Sequence, residues 1–417
     1  MAWLFGVVAL FWAMLTLQLL YHVRNLRRLS LDALIDSTDL PPVDVVFSAR
    51  DEADRVEKTV RMQLDHGSPI RDVIAVDDRS TDGTSEILAR LAAEHPRLKV
   101  VRVDELPDRW LGKSHGLHVG GREATAPWIL FTDADVWMNR GVVGRALDLA
   151  LKERVDHVCL FPSTAPKEKR SLLGDAFVLA FGVTLIDLMS KVNRDDPRGF
   201  AGVGAFNLVR TDLYRSFGGH EQLRLEIADD AMLGVLVRRA GGRTRGFMAP
   251  EHLECDYANG PFSLIKRLEK NHFAILRFRI PIALAVVSIF AVGWITAIVG
   301  PFTGTPAGIA AGLALLSTVI PVGIFGFRWS MGGAASLFFP LVVPVLGISL
   351  LHSMVKILWQ GGVRWRDTFY PLAMLREGCL DWSPMQRLAP PDLNSRKGSQ
   401  QWNDAPNDRP TTRPVSN

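Results

Sequence analysis

Cysteine is scarce in this chain. Cys159, Cys255 and Cys379 are its only three, with no C-x-x-C pair, so there is neither a disulfide framework nor a zinc-binding spacing, and a reduced compartment fits. An excess of one charge is also lacking, since 48 Lys and Arg face 44 Asp and Glu. The basic residues flank apolar stretches and form no groove with interleaved aromatics, which argues against nucleic acid as a partner. Carboxylates are absent before Asp32 and between Glu269 and Asp367. Most of them fall between 44 and 270, so the mean hydrophobic content of 48% hides a soluble domain bracketed by membrane segments.

Residues 3–21, WLFGVVALFWAMLTLQLLY, are uncharged and long enough to cross a hydrocarbon core of about 30 Å. The following HVRNLRR is basic, which keeps that flank cytoplasmic, and no small-x-small cleavage site precedes it, so 1–40 reads as an anchor and not a cleaved signal. An amphipathic helix is expected over 263–279, with Leu264, Ile265, Leu268, His272, Ile275 and Leu276 on one face and Lys266, Arg267 and Lys270 beside them. Three hydrophobic stretches follow at 280–300, 306–327 and 335–359, then the basic aromatic GGVRWRDTFYPLAMLR; 280–388 is the C-terminal membrane region. If all three crossed, that basic segment would emerge outside, so the last stretch, broken by Pro340 and Pro344, is the candidate for a re-entrant segment. Residues 172–192 are apolar but contain Asp175 and Asp187, expensive in lipid, and read as an interfacial or buried helix. The tail, 389–417, is polar and Pro-rich and should be disordered.

Between 41 and 262, short apolar runs alternate with helical patterns: VDVVFSAR, a helix near 52–64, DVIAVDD, a helix near 82–94, LKVVRV, a helix near 113–124, then WILFTDAD. That order predicts an α/β domain with a doubly wound sheet, whose ligands bind beyond the carboxyl ends of the strands. Charged clusters stand at those ends: Arg50 and Glu52 after the first strand, Asp77 and Asp78 after the second, Gly112-Lys113 before the third helix, and Asp133-Ala134-Asp135 after the fourth strand. Each alone is more often a solvated turn. In series they suit a divalent cation bridging carboxylates to a nucleotide diphosphate, because hard cations take oxygen ligands and magnesium-like ions are held by one or two carboxylates plus substrate phosphates.

The ordered series FSARDEA, VDDRSTDGT, WLGKSHGL, FTDADV, GVGAFNLVRTDLYRSFGGH and IADDAMLG resembles glycosyltransferase family 2, specifically membrane members acting on lipids such as the ceramide glucosyltransferase group and bacterial enzymes of hopanoid and carotenoid glycosylation. The resemblance runs from about 41 to 375. It implies a GT-A type, Rossmann-like mixed sheet domain, a nucleotide-sugar donor (a UDP-sugar by preference), a divalent metal, Mg2+ or Mn2+, a membrane lipid acceptor and inversion at the anomeric carbon. Carried over by position, Ala49, Arg50 and Glu52 hold the nucleobase, Asp77 and Asp78 the uracil and ribose, and Asp133 with Asp135 the ribose and metal-diphosphate; Lys113, by its own chemistry, supplies a point charge suited to a diphosphate. Asp230, with Asp229 beside it, is the base that deprotonates the acceptor; Gly202, Gly204 and Asn207 form the acceptor-side loop, and Lys266, Arg267 or Lys270 supply charge near it. The rival reading of Asp229 and Asp230 is helix capping.

One departure stands out: KRLEKN occupies the place of the QxxRW motif of many relatives, which counts against processive polysaccharide synthesis. A polysaccharide or polyprenyl-phosphate glycosyltransferase is the alternative within the family. Outside it, a nucleotidyltransferase would want a Gly-rich basic loop where ARDEADR is acidic, and an inactive scaffold would have lost carboxylates that are all present. His220 reads as a structural loop histidine. The expected location is the cytoplasmic membrane, catalytic domain in the cytosol.

Overall fold

The computed structural model describes residues 2–30, 39–163, 170–255 and 261–380; the tail expected to be disordered lies outside them. Helix α1 (Ala2–Arg24) leads to β1 (Arg27–Arg28), and the core of the domain follows as β2 (Val43–Ala49), α2 (Ala53–Leu64), β3 (Ile70–Asp78), α3 (Thr84–Glu94), β4 (Leu98–Val103), α4 (Gly112–Glu123), β5 (Trp128–Phe131), β6 (Val136–Met138), α5 (Val142–Glu153) and β7 (His157–Phe161). Then come α6 (Leu172–Asn193), β8 (Asn207–Arg210), α7 (Thr211–Ser216), α8 (Asp229–Arg239), β9 (Thr244–Met248) and β10 (Leu253–Cys255).

The main sheet has the order β1-β9-β7-β8-β5-β2-β3-β4, parallel except for β8, which runs antiparallel to both β5 and β7. It is the mixed α/β sheet predicted from the sequence. Successive residues of β2 face opposite sides: Val45 and Phe47 join the core under α2, α3 and α5, while Val46 joins Ile74, Ile129 and Phe131 beneath α4. Both faces are covered, so the strand reads as a nearly unbroken apolar run. After β4 the chain returns to the other side of β2 as β5, a reversal that opens a crevice beyond the ends of those two strands. Arg50 and Asp133 lie at that reversal.

The C-terminal part is helical: α9 (Pro261–Leu268), α10 (His272–Ile275), α11 (Ile280–Val299), α12 (Pro306–Ser317), α13 (Val319–Arg328) and α14 (Phe339–Gln360), closed by the hairpin β11 (Gly362–Trp365) and β12 (Thr368–Pro371) and by α15 (Leu372–Gly378). Five described segments are long and apolar enough to cross a membrane: Ala2–Arg24, Leu172–Asn193, Ile280–Thr303, Pro306–Arg328 and Ala334–Gln360. This points to membrane association.

The expected continuous helix over 263–279 is broken. Ser353 of α14 inserts its hydroxyl into the ladder, donating to Glu269 O at 2.5 Å and accepting from Phe273 N at 3.1 Å, the two groups an unbroken helix would have paired with each other. Lys270 lies in the turn at the break.

Two of the five apolar segments begin and end near the same layer. At one end of α6, Arg170 bonds Ser330 O, and Ser330 in turn accepts from Arg28; at the other, Asn193 bonds Asn25 O and Gly246 O. Residues 334–360 are preceded by Arg328, which donates to Leu26 O, and followed by Asp367, which pairs with Arg50. The hairpin after that segment is thereby tied to the α/β domain through Asp367 and Arg50.

Candidate active site

A cavity of about 1060 Å3 lies over the carboxyl ends of β2, β3 and β5 and continues between the helices. Its polar end is lined by Arg50, Glu52, Asp78, Gly112, Lys113, Asp133, Asp135, Gly202, Gly204, Asp229, Asp230, Arg267 and Lys270, so most residues singled out in the sequence meet in one place. Ala49, Asp77, Asn207 and Lys266 do not line it. Ala49 is buried within β2. Asp77 is turned into its own strand-to-helix turn, accepting from Ser80 N at 3.1 Å and Ser85 Oγ at 2.5 Å. Asn207 is buried in β8 and holds the 202–204 loop from behind, accepting from Val203 N at 3.1 Å. Lys266 is exposed on α9.

Lys113, at the first turn of α4, is the electrostatic centre. Its Nζ stands 2.7 Å from Asp133 Oδ1 and 3.5 Å from Asp229 Oδ1. Burial alone would lower its pKa, but Asp133, Asp229 and Asp230 outweigh that and raise it, so it remains charged. Asp229 is pushed up to about 6 by burial, with Lys113 opposing the rise and Asp230 and Asp133 adding to it. The N-cap of α8 is Ala228, with no side-chain cap bond. Asp229 thus pairs with Lys113, while Asp230 accepts from Gly204 N and from Ala231 N, both at 2.8 Å.

The 202–204 loop fits against these carboxylates only because it has glycine at both ends: a Cβ at Gly204 would strike the Asp133 carboxylate, and one at Gly202 would strike the backbone of Asp230. Asp135 is half-buried and has no hydrogen-bond or ion-pair partner among the described residues; burial, with Asp133 and Glu52 nearby, pushes it up to about 6. No group of three or more His, Cys, Asp or Glu forms a ready cation cage among the described residues. Two carboxylates, one of them unpaired, nevertheless fit a cation that completes its shell with substrate phosphates.

The hairpin contributes residues the sequence reading had not singled out. Arg366 pairs with Glu52, Arg50 reaches Asp367 at 3.4 Å, Gly112 N donates to Tyr370 Oη at 3.2 Å, and Lys270 Nζ lies 3.1 Å from the centre of the Trp365 ring. Burial lowers Lys270 to about 7, with Lys113 adding to the shift. The available signal was the cluster of basic and aromatic residues after the last apolar stretch. His220 is buried, bonded to Tyr214 Oη at 2.8 Å and packed on Phe131, well inside the domain.

Residues 44–192 match the family Glycosyl transferase family 2. The chain carries a glycosyltransferase family 2 domain. The mixed α/β sheet is the one expected for a domain of that family. Outside the family domain, the segment with Asp229 and Asp230 and the hairpin complete the cavity. The chain is similar to 4,4'-diaponeurosporenoate glycosyltransferase of Staphylococcus aureus, at 27% identity over 192 residues, 46% of this chain and 49% of the relative. It thus spans about half the length of the curated relatives it matches. Among solved structures it is similar to a mannosyltransferase of Pyrobaculum calidifontis in complex with GDP-Man and Mn2+, at 18% identity and a TM-score of 0.49, covering 85% of this chain and 99% of that one.

Proposed function

We propose that the chain is an inverting glycosyltransferase that moves a sugar from a nucleotide-sugar, of the UDP type, to a hydroxyl of a membrane lipid, with its catalytic domain on the cytosolic face. The observation that carries this reading is the continuity of one cavity, from the charged cluster around Lys113 to an apolar wall that includes Trp12, Phe290 and Trp294. A reacting polar group and a lipid tail fit the two ends of that space.

Arg50, Glu52 and Asp78 line the end assigned to the nucleoside, and Arg50 Nε is buried without a hydrogen-bond partner, a donor left for the ligand. Asp133 and Asp135 would hold a divalent cation, Mg2+ or Mn2+, which when bound supplies positive charge to the leaving diphosphate. Lys113 adds a fixed charge to the same side. In the transfer, the acceptor oxygen attacks the anomeric carbon as the bond to the diphosphate oxygen breaks. The hydroxyl proton passes to Asp230, and the nucleoside diphosphate departs with the bonding pair. The base belongs on a segment separate from the donor carboxylates, because inversion requires attack from the face opposite the leaving group, and Asp230 stands on α8, held in place by Gly204 N.

Within the family, a polyprenyl-phosphate acceptor is the second reading, favoured by Arg267 and Lys270 at the cavity. Mass analysis of lipids from cells with and without the gene tests both. A lipid one hexose or N-acetylhexosamine heavier, present only with the gene, supports the main reading; a sugar gained only on a polyprenyl phosphate supports the second.

A further inference from the structure

Four glycines line the cavity, and three of them stand where nothing larger fits: a Cβ at Gly112 would strike the Asp78 carboxylate, and Gly202 and Gly204 have no more room. Gly347 is different. It lies in the middle of α14, where glycine costs helix stability relative to alanine, yet the nearest atom to a Cβ built on it is Val287 Cγ1 at 3.9 Å. Other glycines of the helical layer are required by packing, as at Gly182, whose Cβ would meet the Trp329 ring, and Gly326, whose Cβ would meet Gly332 O. At Gly347 no neighbouring group of the protein needs the space. A side chain there would extend into the cavity.

Helix α14 fixes where along the cavity that space falls. Leu351, Leu350, Gly347 and Val343 follow one another at helical spacing on its lining face, starting beside Ser353, which bonds the backbone on both sides of Lys270. At 1.5 Å per residue, Gly347 is about 9 Å along the helix from Ser353. Beyond Gly347 the wall is stiff. Pro344 has no N–H, so the carbonyl of Pro340 lacks its helical donor, and Trp294 Nε1 takes that carbonyl at 2.6 Å; Trp12 Nε1 likewise donates to Gly293 O at 3.1 Å. We propose that Gly347 is a specificity-determining residue: its missing side chain is the passage for the acceptor's hydrocarbon chain, so that the enzyme takes lipids whose chain runs on past this point toward Trp294. This inference rests on the reading of the cavity as a glycosyl-acceptor site. A larger residue at 347 would close the passage and leave room only for short-chain acceptors.

The test uses the full chain in detergent and three alcohols brominated at the tail, 7,8-dibromooctan-1-ol, 11,12-dibromododecan-1-ol and 17,18-dibromooctadecan-1-ol, which quench tryptophan fluorescence; Trp365, Trp12 and Trp294 all line the cavity. Gly347→Ala adds one methyl group where there is space for it. It should keep wild-type affinity for all three alcohols and a Tm no lower than that of the wild type. Gly347→Leu should bind the eight-carbon alcohol as the wild type does and the eighteen-carbon one at least about tenfold more weakly, the scale of overpacking a filled site, with the twelve-carbon alcohol between them. A penalty equal at all three lengths, no penalty at any length, or a lowered Tm in Gly347→Ala would overturn the inference. Glycosylation of octan-1-ol and octadecan-1-ol by the wild type is followed in parallel with Mn2+ and UDP-glucose, UDP-galactose or UDP-N-acetylglucosamine. If the alcohols are bound and glycosylated but the Gly347→Leu penalty does not grow with chain length, only this inference fails; if the wild type neither binds nor glycosylates any alcohol, the acceptor reading fails and this inference with it.

Discussion

Lys113 Nζ lies 2.7 Å from Asp133 and 3.5 Å from Asp229, so one ammonium joins the carboxylate at the end of β5 to the carboxylate at the start of α8. These two acids belong to the donor and acceptor halves of the proposed reaction. Removing the cation leaves them facing one another in a buried site. Lys113→Met should therefore raise the pH at which Asp229 ionises and cut kcat/KM by at least about a hundredfold, the scale of losing a preorganised charge at a reacting centre. Kinetics across pH check both; an unchanged pH profile would separate Lys113 from the acids.

The acid limb of the pH profile should fall near pH 6, because Asp229 is pushed up to about 6, chiefly by burial. Asp229 interacts with Lys113, Asp230 and Asp133, so the limb reports a property of the cluster and not of one residue. Stability should move the other way. A carboxylate whose folded pKa is raised favours the folded state at low pH, and that contribution is lost as pH rises through about 6. Asp229→Asn should thus raise Tm relative to wild type at pH 8, keep about half of that advantage near pH 5 and lose it only below about pH 4, as scanning calorimetry without added metal would report.

Gly204 has no room for a side chain, since a Cβ there would meet the Asp133 carboxylate. Gly204→Ala should displace Asp133, weaken nucleotide-sugar binding in the presence of Mn2+ by about tenfold or more, and leave the far-UV circular dichroism unchanged. Titration calorimetry with UDP-glucose and with UDP-N-acetylglucosamine measures the first effect.

The hairpin over the donor end makes a smaller prediction. The Arg366–Glu52 pair is partly exposed, and such pairs contribute about 0.2–1 kcal/mol. Arg366→Ala should raise the donor KM no more than about fivefold with kcat little changed. A collapse of kcat would mean that Arg366 touches the reacting groups.

Much of the domain was legible because its information is local. The apolar run of β2 and the carboxylates closing β3 and β5 are written in consecutive residues, and Arg50, Asp78, Lys113 and Asp133 accordingly converge on one cavity. What escaped depends on distant partners. The 263–279 pattern is helical throughout, and only a hydroxyl from Ser353 breaks it. The apolar length of α6 is that of a span, and only Asp175 and Asp187 mark it in the sequence as an interfacial or buried helix. Nor does the sequence of Trp365, Arg366 and Tyr370 disclose that the hairpin folds back by way of Glu52 and Gly112, more than 250 residues away. Asn207 was placed at the acceptor by its motif, but its side chain serves Val203 and His157 inside the sheet.

The most direct measurement of the central account is transfer by the purified chain in lipid nanodiscs, with Mn2+, radiolabelled UDP-sugars and the membrane lipids of its own source as acceptors, comparing wild type with Asp230→Asn. Asp230→Asn keeps an oxygen for Gly204 N but cannot take the acceptor proton. The account predicts a labelled lipid of inverted anomeric configuration from the wild type, and near wild-type nucleotide binding with at least about a hundredfold slower transfer from the variant. Retained configuration, or transfer that survives in Asp230→Asn while Asp229→Asn abolishes it, would contradict the account.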